Sequence, residues 1–192
     1  VGTNLFHSFG EFNILSTESA TFTGPGSITN ILARVTGGSV SIIDGLIQSA
    51  IPNANLYLIN PSGLIFGPNA QVDVSGSFTA STADYIRLGE NGRFDVSNPA
   101  NSILTAPEPE AFGFTGNNPA ALIFNNPSID LNVEKAFSAI GGDIQIIDGQ
   151  ISAPDGQINL ISVGSSGEVV LDESNSSLPY DSRSFTQFGT VD

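Results

Sequence analysis

The chain has 192 residues and a formal charge of −14, set by 19 acidic side chains against four arginines and the single lysine Lys135. That balance repels phosphate backbones and anionic bilayers, because affinity for either depends on Lys and Arg; no apolar run approaches the ~20 residues of a membrane span. The absence of cysteine removes disulfides, thiol nucleophiles and thiolate metal sites, and a mean hydropathy of +0.12 is too high for a disordered chain.

Helix signals are almost missing: Ser, Thr, Asn, Gly and Val dominate, and no long i, i+3, i+4 apolar pattern occurs. At the front, "NLFHSFGEFNI" alternates apolar and polar residues through Leu5, Phe6, Phe9, Phe12 and Ile14. Residues 1–24 are expected to cap the open end of a repeat stack, whose last coil exposes both core and strand edge. From 25 to 96 the apolar residues come in short bursts: "VSII" at 40–43, "LYLI" at 56–59, "LIF" at 64–66 and "VDV" at 72–74. Turn dipeptides separate them at Asp44-Gly45, Ser62-Gly63, Gly67-Pro68 and Ser75-Gly76. Leu56, Leu58, Leu64 and Phe66 are expected to point inward, and Asn60–Gly63 to form a corner between two strands.

Residues 97–137 are proline-dense and lose this rhythm, so they read as an insertion leaving the solenoid, either with a hairpin or small sheet of its own around "ALIF" or as an ordered long loop. Residues 138–175 restore the rhythm. "GDIQIID", "GQISAPD" and "GQINLIS" repeat with Ile144, Ile151 and Ile158 at their third positions, and "VVL" follows at 169–171. Short strands at this spacing predict an all-β solenoid with three strands per coil, its coils stacking about 4.8 Å apart in parallel. The start at Val1 lacks a leader's basic and apolar regions, and "SRSFTQFGTVD" lacks a terminal capping signature. Either removal of a leader or excision from a longer parent protein is expected.

The residues offer no catalytic constellation. His7 sits between aromatics and reads as a packed cap residue. Asp73, Asp84, Asp95 and Asp172 are available to a carbohydrate-cleaving face, but Lys and Arg are too scarce to line a polyuronate groove. Asp44, Asp148 and Asp155 each precede glycine and read as turn formers. No Ca²⁺ loop, P-loop lysine or cofactor motif is present, so neither metal nor cofactor is expected. Asn-Pro pairs begin at Asn60, Asn98, Asn118 and Asn126, where proline ends a strand and the asparagine side chain can satisfy nearby backbone donors.

The runs "GTNLFHSFGEFNI" and "NILARVTGGSVSIIDGLI…NLYLINPSGLIFGPNAQVDVSGSFTASTAD" resemble the filamentous haemagglutinin-type TPS domain of two-partner secretion exoproteins. "FHSF", "RVTGG" and "SFTASTAD" are most similar to cyanobacterial members. The resemblance implies a right-handed parallel β-helix with an N-terminal cap and extra-helical β elements. It implies no enzyme activity. It further implies a secreted or surface location, reached through periplasm and outer membrane, and recognition by the POTRA domains of an outer-membrane β-barrel transporter. The family signature "NPNGI" stands here as Asn60-Pro61-Ser62-Gly63-Leu64, while "NPNL" has no clear match. Two roles are open to that stretch, direct recognition by the partner and shaping of the corner. The expected particle is a monomer without membrane insertion; the competing reading is a carbohydrate-binding or adhesive β-helix of a surface fibre.

Overall fold

The structure, a computed structural model, describes residues 1–171 and 179–192, so Asp172 and the end of the segment 138–175 lie outside the described residues. The short bursts form strands, and successive coils lay them side by side in three parallel columns. The first column holds Asn4–Phe9, Asn30–Val35, Asn55–Ile59, Phe78–Ser81, Ala136–Gly141 and Gln157–Ser162. The second holds Ser41–Ile43, Leu64–Phe66, Leu122–Asn125 and Ile144–Ile147, extended by single parallel bridges from Ile14 to Ile43 and from Ile144 to Val191. The third holds Ser19–Phe22, Leu46–Ser49 and Gln71–Asp73, then Ser128–Asp130 and Gln150–Ser152. The result is a three-faced β-solenoid of about six turns.

Register shows how the coils are measured out. Leu5, Ile31, Leu56, Phe78, Phe137 and Ile158 stand in one inward row, spaced by 26, 25, 22, 59 and 21 residues. The long interval contains the excursion described below. Inward side chains on alternate strand positions fill the tube, and Leu56, Leu58, Leu64 and Phe66 are all buried in it. Phe66 stacks on Phe124 with centroids 4.9 Å apart, and Phe124 meets the Phe137 ring at 5.5 Å. The repeat of Ile144, Ile151 and Ile158 marks the three faces of a single turn. Ile144 is buried, but Ile158 is 48% exposed because among the described residues no later strand pairs beyond Gln157–Ser162 in that sheet.

Residues 1–24 form the first coil. Asn4–Phe9 pairs with Asn30–Val35, Ser19–Phe22 pairs with Leu46–Ser49, and His7, Phe9, Phe12 and Phe22 gather within 5.0–6.5 Å to fill the coil's interior. An asparagine ladder ties this coil to the next two. The Asn30 amide donates to Asn4 Oδ1 at 3.1 Å, and Asn55 donates to Asn30 Oδ1 at 3.2 Å.

The chain leaves the solenoid at Tyr85, earlier than proline density suggests. Tyr85–Leu88, Gly92–Asp95 and Pro109–Phe114 join Gly167–Leu171 and Tyr180–Asp181 in a five-stranded antiparallel sheet. "YIRL" and "GRFD" are one-sided strands: Ile86, Leu88 and Phe94 are buried on one face, and Tyr85, Arg87 and Arg93 are less buried on the other. Such strands suit a sheet lying over another sheet. Ala121–Phe124, by contrast, makes no hairpin of its own. Leu122–Asn125 is a solenoid strand, because three successive apolar residues fit a column whose inner face meets the core. "VVL" at 169–171 likewise sits in the antiparallel sheet rather than in a coil.

The antiparallel sheet covers the outer side of the first solenoid face. Leu32, Tyr57, Ile59 and Ile140 meet Ile86, Leu88, Phe94, Phe112, Phe114 and Val169 in a second apolar core. Arg34 lies 4.5 Å over the Phe94 ring and donates to Ser102 Oγ at 2.7 Å and to the Asp95 carbonyl. Asp95 is 2% exposed and accepts from Arg93 Nε at 2.8 Å and from the Asn98 N–H at 2.6 Å. On the outer face the Tyr85 ring lies flat across Gly113, where a Cβ would fall 1.9 Å from the ring; only glycine admits that contact.

Candidate functional site

Asn60 to Leu64 forms a corner between the first and second faces of the third coil. Asn55–Ile59 runs into it and Leu64–Phe66 runs out. Proline at 61 fixes the bend, and the Gly63 N–H closes the turn onto the Asn60 carbonyl at 3.0 Å. Gly63 adopts φ +113°, a conformation that L side chains rarely adopt. A Cβ there would also press on the Ala121 carbonyl at 3.3 Å and on Val40 at 3.4 Å.

Asn60 itself is 0% exposed. Its amide nitrogen donates to the Ser39 carbonyl and to Ser41 Oγ, both at 2.9 Å, and its Oδ1 accepts from the Ser62 N–H at 2.9 Å. Its backbone N–H donates to the Ser81 carbonyl at 2.9 Å. One residue therefore links the second, third and fourth coils. Aspartate could keep the bond to Ser62 and accept from the Ser41 hydroxyl, but it would lose the donor to Ser39 and turn a carboxylate oxygen toward that carbonyl. Pro61 and Ser62 are half-buried, while Leu64 is buried in the solenoid core. The arrangement organises backbone, and it aims no nucleophile or general base at an open site.

Pro61 also borders a cavity of about 290 Å³ that includes Asp84, Thr115 and Asn118. Burial raises the Asp84 carboxyl, but hydrogen bonds from Ser97 Oγ, the Thr115 Oγ1 and the Thr115 N–H outweigh it and hold the group below the usual carboxylate range. The carboxylates considered for cleavage chemistry are scattered. Asp84 and Asp95 serve the antiparallel sheet, and Asp73 lies on the third solenoid face. Asp148 and Asp155 occupy turns with φ +55° and +53°, and Asp44 accepts from the Asn69 N–H. Among the described residues no three His, Asp or Glu converge to hold a metal. Most aromatic rings lie inside the molecule, the reverse of an exposed aromatic ladder; Phe188 is the one large aromatic exposed among the described residues.

The sequence carries one further signal for this corner. "NPAALIF" at 118–124 repeats "NPSGLIF" at 60–66. The structure stacks them, with Leu122 against Leu64, Ile123 against Ile65 and Phe124 against Phe66. The asparagines differ, since Asn118 is exposed with φ +56° and does not reproduce the buried amide of Asn60.

His7 faces the core from the first coil, in the row of Ala33, Leu58, Ala80 and Ala139. Its Nε2 is buried without a hydrogen-bond partner among the described residues, and burial lowers its pKa. The unfolded chain therefore binds this proton more tightly than the folded chain. The stability owed to neutral His7 is fully present above about pH 6.5 and is lost as the pH falls toward the lower folded value. Urea midpoints should drop between pH 7.5 and 5.5, and His7→Leu should flatten that part of the profile. An unchanged slope in the variant would remove His7 as the cause.

The chain matches the TPS secretion domain family over residues 1–189. It is 37% identical over 81 residues to a heme/hemopexin-binding protein of Haemophilus influenzae strain Rd, and 34% identical over 80 residues to a second protein of that name from Haemophilus influenzae. Each match covers 42% of this chain and 8% of the relative, so the chain corresponds to a small part of those proteins. With a β-solenoid, an extra-helical sheet and the Asn60–Leu64 corner all in place, the chain belongs to the TPS secretion domain family.

Proposed function

We propose that this domain addresses the exoprotein carrying it to a cognate outer-membrane β-barrel transporter, whose periplasmic POTRA domains take the extended chain before it folds into the β-helix at the cell surface. The observation that carries the reading is the family match across nearly the whole chain. The physics agrees with it. A chain without cysteine can cross an oxidising periplasm with no disulfide to block threading, and strands of two to six residues leave an unfolded chain rich in extended segments that suit addition to a sheet edge. The domain is read as non-catalytic and monomeric, and its charge of −14 opposes self-association. Asn60, Pro61, Ser62, Gly63 and Leu64 serve secretion by shaping the corner. Heme and hemopexin binding belong to the relatives and are not carried over.

The test is secretion of a passenger fused behind residues 1–192, in cells with and without the cognate transporter. Export that depends on the transporter is expected. A passenger retained in both strains, or exported equally in both, would overturn the reading.

A further inference from the structure

The second solenoid face carries an apolar row that the fold does not use. In Ser41–Ile43, Leu64–Phe66 and Leu122–Asn125 the flanking apolar side chains Ile43, Leu64, Phe66, Leu122 and Phe124 are buried, while the residue between them points out. Those outward residues are Ile42, Ile65 and Ile123, which register directly on one another across three coils. Ile42 is 49% exposed, and Ile65 and Ile123 are half-buried. Asn13 precedes the row in the first coil, where its side chain accepts from the Ile42 N–H, and Gln145 follows it in the fifth. The corresponding outward row on the third face reads Thr21, Gln48, Asp73, so an outward strand position in this solenoid does not require an apolar residue.

Charge narrows what could cover the row. No Lys or Arg lies in the second sheet. Arg34, Arg87, Arg93 and Arg183 are engaged at or within the antiparallel sheet, and Lys135 precedes a strand of the first face. Asp44 follows one strand of the second face, and Asp143 precedes another. A second copy, also at −14, and an anionic bilayer are both repelled. The complement is an apolar protein surface edged by basic side chains.

The geometry points to Ile42, Ile65 and Ile123 as specificity-determining contacts with the soluble periplasmic region of the transporter, an assignment that rests on the proposed secretion role. Contacts on the outward side have a mechanical advantage. A partner that held Leu64 or Phe66 would have to release them before the coil could close. A partner that holds Ile65 leaves both free to enter the core, so capture and coil formation do not compete. Ile65 directly follows Leu64 of the signature, which places the row at the exit of the Asn60–Leu64 corner.

The test compares binding of the full 192-residue chain, diluted from urea, to the isolated periplasmic region of the cognate transporter. Ile42→Thr, Ile65→Thr and Ile123→Thr combined keep β-branched residues in the strands, and the variant is expected to refold with an unchanged urea midpoint but to bind about tenfold more weakly or worse. Phe66→Ser in the core is expected to abolish refolding yet to bind like wild type. Undiminished binding by the triple variant, or loss of binding in Phe66→Ser alone, would overturn the assignment while leaving the secretion role intact. Failure of the wild-type chain to bind would overturn both.

Discussion

Phe112→Ala should cost about 3–5 kcal/mol, the usual range for deleting a fully buried phenylalanine. Phe112 sits in the middle strand of the antiparallel sheet, opposite Ile86 on one side and Val169 on the other, and its ring lies 6.2 Å from that of Tyr57. The loss would fall at the join between sheet and solenoid. Urea unfolding provides the measurement. A change below about 1 kcal/mol would mean that the sheet does not hold the solenoid's outer face, because exposed sites typically respond at or below that level. The second core draws residues from Leu32 to Phe185, so its damage should be felt by coils distant in sequence.

Asn60→Ala should destabilise the domain by about 2–4 kcal/mol, from three side-chain hydrogen bonds lost inside a buried corner and the partners left behind. Asn60→Asp should fare no better, because it keeps the bond to Ser62 but places an acceptor against the Ser39 carbonyl. Near-wild-type stability of both variants would contradict a structural role for this amide. Ser62→Ala gives a contrast on the same turn. Ser62 is half-buried and its role in the amide network is through its backbone N–H, so the change should cost less than about 0.5 kcal/mol.

The solenoid is legible in the sequence because its unit is local. A burst of three apolar or alternating residues followed by a turn dipeptide specifies a short strand and a bend, and repetition specifies stacking. Leu56, Leu58, Leu64 and Phe66 are accordingly all buried. The limits of the excursion are less legible, because proline marks bends wherever they occur. The one-sided strands at Ile86, Leu88 and Phe94 lack proline and still leave the solenoid, whereas Leu122–Asn125 stays in it despite Asn118-Pro119 and Asn126-Pro127 on either side. Nor does the N-terminal aromatic run announce that it pairs with Asn30–Val35, since pairing depends on register rather than composition.

The corner divides in the same way. Asn-Pro followed by Ser-Gly predicts the bend, and the bend is there. That the Asn60 amide reaches back to Ser39 and Ser41 is a consequence of coil stacking, which brings residues 21 and 19 positions apart into contact. No local pattern reveals it. Its burial also bears on how the signature works: an amide with no exposed surface can act on a partner only while the chain is unfolded, and in the folded domain it acts on the turn.

The most direct measurement therefore separates these two states. Unfolded wild-type and Asn60→Ala chains should bind the isolated periplasmic region of the cognate transporter with the same affinity, while the refolded variant shows the loss in stability given above. Weakened binding of the unfolded variant together with wild-type stability of the refolded one would contradict the account, and would make Asn60 a residue the transporter reads.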